Sequence, residues 1–153
     1  MISFRILTAT AAVFFVATSA SAHDFQSADV YSTRYPAVQA VSYMGKLIHQ
    51  RTKGRHHINV IENGDMGSER LTIQRVRNGT LDMARVSLAV FSDLVPATAI
   101  PSLPYLFKSA AHERAVLDGP IGDEILAAME DHGFIGLAFY DTGARSFYSS
   151  VRP

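Results

Sequence analysis

The chain has 153 residues, and its 14 basic side chains balance its 14 acidic ones to give zero formal net charge. The basic residues are scattered along the chain, which argues against a nucleic-acid partner. The absence of cysteine excludes a disulfide scaffold and thiol chemistry, so a domain of this length depends on its hydrophobic core for stability.

The N-terminal residues have the pattern of a secretory signal peptide. Arg5 supplies the positive start, Ile6–Val16 the apolar stretch, and Ala20–Ala22 a small-residue cleavage site before His23. The apolar stretch is shorter than the roughly 20 residues that cross a bilayer. A buried N-terminal helix is the alternative. The pattern predicts cleavage after Ala22, a periplasmic location and no membrane insertion after cleavage.

The next segment predicts a strand, a helix and a second strand. Phe25–Val30 is typical of a short strand, and Pro36 suits the first turn of a helix that ends near Lys53–Gly54. Ile58–Ile61 predicts the second strand. Apolar residues recur at helical spacing and predict a core-facing stripe made of Val38, Val41, Met44 and Ile48.

A second helix and a third strand follow. Asn63–Gly67 breaks the chain, Ser68 suits an N-cap, and Asn78–Gly79 suits a helix end. The residues expected to face inward or half inward are Leu71, Gln74 and Val76. Leu81–Val86 then predicts a strand. Strands that alternate with helices through short links predict an α/β fold with a parallel sheet.

The last part of the chain is expected to contain a loop, two helices and a strand. The proline-rich stretch Val95–Phe107 predicts a packed loop, and Ala110–Leu117 a short helix. Pro120 opens a longer helix that Gly133 closes, with one face formed by Ile121, Ile125 and Met129. Phe134–Tyr140 is apolar enough to predict a strand covered on both faces.

Familiar catalytic and metal-binding patterns do not fit. His112–Glu113 lacks the second histidine of a zinc helix, and the side chains of His56 and His57 point to opposite faces of a strand. Gly64–Ser68 is glycine-rich but lacks the lysine of a phosphate loop, and no serine lies in a Gly-x-Ser-x-Gly turn. The sequence therefore indicates no metal and no cofactor.

A set of polar residues follows the predicted strands, where ligands collect in open α/β sheets. The candidate binding residues are Tyr35, which with Tyr31 flanks the turn after the first strand, Glu69, Arg85, Ser87 and Arg145. Simpler explanations exist for three of them. Glu69 favours its helix dipole, Arg85 suits a solvated strand end, and Tyr35 suits a hydrophobic staple. Arg145 lies between glycine and aromatic residues, which make a poor solvated surface.

Five motifs in order give the chain a family resemblance: Gly67–Glu69, Gly79–Met83, Leu103–Phe107, Leu117–Pro120 and Asp141–Arg145. Together they resemble the substrate-binding proteins of TRAP transporters, the DctP family. The resemblance covers nearly all of residues 24–153.

The resemblance implies a periplasmic binding protein-like fold, with a three-layer lobe around a largely parallel sheet and a second lobe mostly missing. It implies a signal peptide at 1–22, an N-terminal lobe at 23–141 and the start of the crossover into the second lobe at 142–153. By resemblance, Arg145 approaches the carboxylate of a small organic acid, a sugar acid or a dicarboxylate, with polar contacts from Glu69, Arg85 and Ser87. Membrane permease subunits are the implied partners.

Two alternatives stand beside this solute-binding interpretation. The chain could be a non-functional fragment of such a protein, because the arginine that usually makes the family's main salt bridge to the carboxylate is expected in a strand after residue 153. It could also be a periplasmic enzyme with Asp141 or Glu69 as general base, although no paired acid, nucleophile or metal motif is visible.

Overall fold

The computed structural model describes residues 22–144, 146 and 148–151. Within them, three parallel strands form one sheet in the order β2-β1-β3: β1 is His23–Ala28, β2 is His56–Ile61 and β3 is Met83–Ala84. His23 pairs with His56 at one end of the sheet, and Ala28 pairs with Ala84 at the other. The predicted α/β class with a parallel sheet is confirmed.

Five α-helices and two 3₁₀ turns accompany the sheet in this part of the chain. The helices are α1 (Pro36–Arg51), α2 (Glu69–Arg77), α3 (Leu88–Phe91), α4 (Ala110–Leu117) and α5 (Pro120–Ala127), and the 3₁₀ turns are Pro96–Ser102 and Glu130–His132. None of the described helices is both long enough and apolar enough to span a bilayer.

Helix α1 packs against β2 much as its sequence predicts. Val38 and Val41 are buried, while Met44 and Ile48 are half-buried. Gly45 is also buried. The helix lies so close to β2 here that a Cβ at position 45 would be only 3.2 Å from the Cβ of Ile58. The close approach of helix and strand therefore depends on a glycine that an apolar-stripe argument overlooks.

Helix α2 begins as predicted but presents a different face to the core. Ser68 caps it by accepting a hydrogen bond from the amide of Leu71. Thr72 and Ile73 are the buried residues, whereas Leu71 and Gln74 are exposed and Val76 is half-buried. The inward positions predicted for Leu71 and Gln74 are wrong, because the helix is rotated by about one residue relative to the expected stripe.

Strands β1 and β3 differ from their predicted limits. The first strand begins earlier, at His23, and ends at Ala28 rather than Val30. The third is only Met83–Ala84, much shorter than the predicted Leu81–Val86. A side chain replaces part of the ladder, because the carboxylate of Asp82 accepts a hydrogen bond from the amide of Gln26 in β1 at 2.8 Å.

The strand predicted for residues 134–140 is wrong. Residues 134–140 form no strand and pair with no strand among the described residues, and Ile135 is 78% exposed. Of the three residues expected on one face of the helical segment that contains α5, Ile125 and Met129 are buried and Ile121 is 54% exposed. The predicted packed loop contains a 3₁₀ turn, and α3 just before it was not anticipated.

The main hydrophobic cluster lies beyond the sheet, where α2 meets the second half of the chain. Its buried members are Ile73, Phe91, Val95, Met129 and Phe134. The rings of Phe91 and Phe134 meet edge to face with centroids 4.9 Å apart. Residue 134 is thus held by side-chain packing rather than by strand pairing. Gly133 precedes it in the left-handed conformation, as expected for the residue that closes the preceding helical segment.

Gly122 allows α4 and α5 to meet closely. A Cβ at this position would overlap the carbonyl oxygen of Leu117 at the end of α4. Alanine is normally the better helix former by up to about 1 kcal/mol, so a simple propensity argument predicts stabilisation. We expect the opposite, a loss of about 1–3 kcal/mol in the free energy of unfolding for Gly122→Ala, because a backbone atom cannot yield locally.

Urea unfolding measures this change. Glu124→Ala, an exposed position in the same helix, serves as the control and should shift stability by no more than about 0.5 kcal/mol. A Gly122→Ala variant as stable as the parent would show that α4 and α5 do not approach each other this closely.

Candidate ligand-binding site

Polar side chains gather where β1 and β3 end. Asp29 follows β1 directly, and Arg85 follows β3 directly. The two strands are neighbours, and the amide of Arg85 still donates to the carbonyl of Ala28 at 3.1 Å. Parallel strands place their carboxyl ends at the same edge of a sheet, so this pairing brings the two charged residues together.

Asp29 and Arg85 form a two-point ion pair. Nε of Arg85 donates to Oδ2 of Asp29, and Nη2 donates to Oδ1. The pair is largely out of solvent, with side chains 9% exposed for Arg85 and 2% for Asp29. Oδ1 of Asp29 also accepts a hydrogen bond from the amide of Tyr31 at 2.9 Å. The carboxylate thus fixes both the guanidinium and the turn that leaves β1.

The charge on Arg85 is stabilised despite its burial. Desolvation lowers the pKa of the guanidinium, but hydrogen bonding to Asp29 and attraction from Asp29 and Glu69 outweigh it, so the pKa of Arg85 lies above its ordinary value. Arg85 is therefore a permanent cation at this edge of the sheet.

Aromatic rings cover the guanidinium. Tyr31 and Tyr35 stack with their centroids 4.4 Å apart, and Cζ of Arg85 lies 5.0 Å from the Tyr31 ring and 5.8 Å from the Tyr35 ring.

Burial raises the pKa of the Tyr140 hydroxyl, and the charge of Arg85 opposes that rise. Tyr140 therefore remains a neutral phenol within electrostatic reach of Arg85.

Glu69 links the start of α2 to the segment after β3. It is the first residue of α2, after the Ser68 cap, and its Oε1 accepts a hydrogen bond from the amide of Ser87 at 2.9 Å. Its charge also contributes to the raised pKa of Arg85. We call the whole group the strand-end cluster, and its members are Asp29, Tyr31, Tyr35, Glu69, Arg85 and Ser87.

The cluster contains four of the five residues that the sequence singles out: Tyr35, Glu69, Arg85 and Ser87. Arg85 is not the solvated strand end of the simpler explanation, since Asp29 holds it in a nearly buried position. Glu69 does more than favour a helix dipole, since it binds the Ser87 amide. The fifth residue, Arg145, lies outside the described residues. The ligand-binding roles of all five stay predictions.

The sequence also matches a known family over most of its length. Residues 27–153 match DctP, the bacterial extracellular solute-binding protein family 7. The chain belongs to this family. The family resemblance suggested by the five sequence motifs is therefore confirmed, and so is the periplasmic binding protein-like α/β fold.

Solved structures of other solute-binding proteins share this fold. A TRAP periplasmic solute-binding protein from Xanthobacter autotrophicus Py2, with bound β-D-galacturonate, is 49% identical with a TM-score of 0.80, and the match covers 83% of this chain and 43% of that one. One from Sulfitobacter sp. NAS-14.1, also with β-D-galacturonate, is 33% identical with a TM-score of 0.80, covering 86% of this chain and 44% of that one.

A curated relative from Escherichia coli is also similar. The 2,3-diketo-L-gulonate-binding periplasmic protein YiaO is 32% identical over 114 residues, which are 74% of this chain and 35% of YiaO. The chain thus spans less than half the length of these three solute-binding proteins.

Two residues in or near the strand-end cluster were missed as site candidates. Asp29 was included in the predicted first strand, and Tyr140 in a predicted buried strand. The signal for Asp29 was present, because a carboxylate at the end of an apolar strand needs a cationic partner if it is buried. Arg85, at the end of another predicted strand, was the available cation.

Removing the charge of Asp29 should destabilise the lobe strongly. In Asp29→Asn the guanidinium of Arg85 stays buried without its counterion, and breaking a buried pair in this way costs about 3–5 kcal/mol. We expect a loss of that size in the free energy of unfolding, measured by urea titration.

The exposed ion pair between Arg70 and Asp93 provides the control. Its atoms are 2.8 Å apart, but the side chains are 66% and 60% exposed, so Asp93→Asn should cost no more than about 1 kcal/mol. Asp29→Leu combined with Arg85→Met should recover part of the loss, since neither charge is then left unpaired. Equal losses for Asp29→Asn and Asp93→Asn would contradict the buried pair.

Proposed function

We propose that the protein captures a sugar acid, such as a uronate, outside the cytoplasm and delivers it to the permease subunits of a TRAP-type transporter. Family membership and the galacturonate held by two related proteins support solute capture. The observation that carries the choice of a sugar acid is the charge balance of the strand-end cluster.

That charge balance disfavours a carboxylate and favours hydroxyl groups. Asp29 and Glu69 bring two negative charges. Arg85 brings one positive charge, and its Nε and Nη2 already donate to Asp29. A ligand carboxylate at this position would meet a net negative surface and an occupied cation. Sugar hydroxyl groups, in contrast, can donate to carboxylate oxygens, and the Tyr31–Tyr35 stack offers an apolar face for a sugar ring.

The carboxylate end of the ligand therefore needs a different cation. We assign that role to Arg145, whose planar guanidinium can bind a carboxylate with two parallel hydrogen bonds. The remaining contacts in this proposal come from Tyr35, Glu69, Arg85 and Ser87. A ligand with one carboxylate and several hydroxyl groups satisfies both ends, whereas a dicarboxylate places its second charge against the cluster.

The proposal includes an export signal and two lobes. Residues 1–22 would be removed during export, 23–141 would form the N-terminal lobe, and 142–153 would begin the crossover into a second lobe that closes over the ligand. The length of the matched relatives supports a second lobe, since each is more than twice as long as its matched part.

We also propose that the protein is not an enzyme. The two general-base candidates support this. Glu69 is engaged with the Ser87 amide, and Asp141 accepts a hydrogen bond from the amide of Gly143 at 2.7 Å. The cavity beside Asp141 has a volume of about 50 Å³, far below the roughly 300 Å³ of typical ligand pockets.

Ligand stabilisation tests the choice of sugar acid. The exported, mature protein, with the second lobe of the proposal present, is heated with D-galacturonate, D-glucuronate or succinate, and unfolding is followed by circular dichroism. We expect the uronates to raise the melting temperature, since a ligand at 100 times its Kd adds about 2.7 kcal/mol to stability. We expect succinate to leave the melting temperature unchanged. Equal stabilisation by succinate would contradict a sugar acid, and no stabilisation by any acid would contradict solute capture.

Arg145 can be tested separately. Arg145→Ala should abolish the uronate-dependent shift, and Arg145→Lys should weaken it strongly, because lysine keeps the charge but cannot bind a carboxylate at two points. Arg114→Ala, at an exposed position on α4, is the control and should retain the full shift. Calorimetry showing unchanged uronate affinity in Arg145→Ala would remove Arg145 from the site.

A further inference from the structure

Two histidines meet at the edge of the sheet opposite the strand-end cluster. His23 begins β1, His56 begins β2, and the two are paired directly in the sheet. His56 and its neighbour His57 face opposite sides, as the sequence predicts. The His56 ring lies 5.9 Å from the ring of Phe25 in β1, whereas the His57 ring lies 4.1 Å from that of His49 in α1. The histidine that lies beside His56 is thus His23 in the neighbouring strand, not His57.

The main-chain nitrogen of His23 lies close to the His56 ring. It is 3.3 Å from Nδ1 of His56, to which it donates a hydrogen bond, and 3.3 Å from the carbonyl oxygen of Arg55. Two nitrogen ligands of one metal ion, each bonded at about 2.0–2.1 Å and at right angles, lie about 3 Å apart. The observed separation suits two donors to a shared metal.

Asp82 prepares the His23 ring for the same role. Its Oδ1 lies 3.1 Å from Nε2 of His23, and its Oδ2 is held by the amide of Gln26. A carboxylate at Nε2 favours the proton on that nitrogen and leaves the lone pair on Nδ1. Metal-binding histidines commonly have this arrangement, with a carboxylate holding the nitrogen that does not bind the metal.

Side chains alone do not complete a metal site. No group of three or more His, Cys, Asp or Glu side chains in the described part of the chain could hold a metal ion. Cleavage after Ala22 would change this, because the amide nitrogen of His23 would become a free amine with a lone pair. That amine and Nδ1 of the same residue can bind one ion as a six-membered chelate ring.

We propose that cleavage after Ala22 creates a Cu(II) site formed by the amine and Nδ1 of His23 together with Nδ1 of His56. The site depends on the proposed cleavage but not on solute capture. Copper is favoured because all three donors are nitrogens, which suit the tetragonal geometry of Cu(II), and because Cu(II) binds such ligands more tightly than the other divalent ions of the first transition row. Water can occupy the fourth position. The ion would join the starts of β1 and β2.

The test uses the protein exported with residues 1–22 in place and purified without affinity tags. Mass spectrometry first establishes the N-terminal residue, and Cu(II) is then titrated by calorimetry. We expect one equivalent to bind, with nitrogen hyperfine structure in the electron paramagnetic resonance spectrum that fits three nitrogen ligands. A mature protein that begins at a residue other than His23 would overturn the proposal.

Matched variants separate this site from a simple N-terminal chelate. His56→Ala should reduce the affinity by about 100-fold and the number of bound nitrogens to two, whereas His57→Ala should change neither. Asp82→Ala should cost about 10–100-fold in affinity, as loss of an outer partner does. A form acetylated at the N-terminal amine of His23 should lose the three-nitrogen spectrum, because the chelating amine is then blocked.

Three results would contradict the site. They are equal effects of His56→Ala and His57→Ala, unchanged binding when the amine of His23 is acetylated, and an affinity no higher than that of the tetrapeptide His-Asp-Phe-Gln. Circular dichroism of each variant shows whether the fold is kept. If His56→Ala unfolds, His56→Gln replaces it, and a three-nitrogen spectrum in that variant would equally overturn the proposal.

Discussion

The buried ion pair between Asp29 and Arg85 is the interaction on which the rest of the described lobe depends. Either charge alone would cost several kcal/mol in this position, so both strands must deliver their residues to the same place. The pair thereby favours the register in which Ala28 lies beside Ala84. A strand shifted by one residue would turn its charged side chain to the opposite face.

The ion pair also explains why a strand of two residues is sufficient. Strand β3 is attached to β1 by a side chain on each side of its short ladder. Asp82 binds the amide of Gln26 before the strand begins, and Arg85 binds Asp29 after it ends. Hydrogen bonds accepted by carboxylates are stronger than those of a neutral ladder, so two charged contacts can replace several backbone pairings.

Local patterns in the sequence predicted the helices better than the strands. Ala110–Leu117 and the Ser68 cap were both predicted correctly, because a cap and a turn of helix involve residues close in sequence. The length of β3 depends on Asp82 reaching Gln26, which lies 56 positions away. Residues 134–140 were predicted wrongly for a similar reason. Their apolar composition indicates burial, but it does not show whether another strand is available to pair with them.

The candidate site was partly predictable for a related reason. Glu69, Arg85 and Ser87 were chosen because each lies near a predicted strand end, and parallel strands bring such ends together. That argument needs only the order of the elements. It could not show that Arg85 forms an ion pair with Asp29, because that pairing depends on which strands are neighbours. The sheet order β2-β1-β3 provides that information.

This occupied arginine shapes how the lobe can take part in binding. If Arg85 turned to a ligand carboxylate, Asp29 would be left as a buried charge without a cation, and the ligand would have to compensate for that loss. Under the proposed function, an acid that leaves the ion pair intact would instead meet Glu69 through its hydroxyl groups, and its carboxylate would need a cation other than Arg85. Hydroxyl recognition and charge recognition are then separated in space. Under this proposal, a ligand that lacks either group loses one set of contacts, so the need to keep Arg85 paired favours a sugar acid.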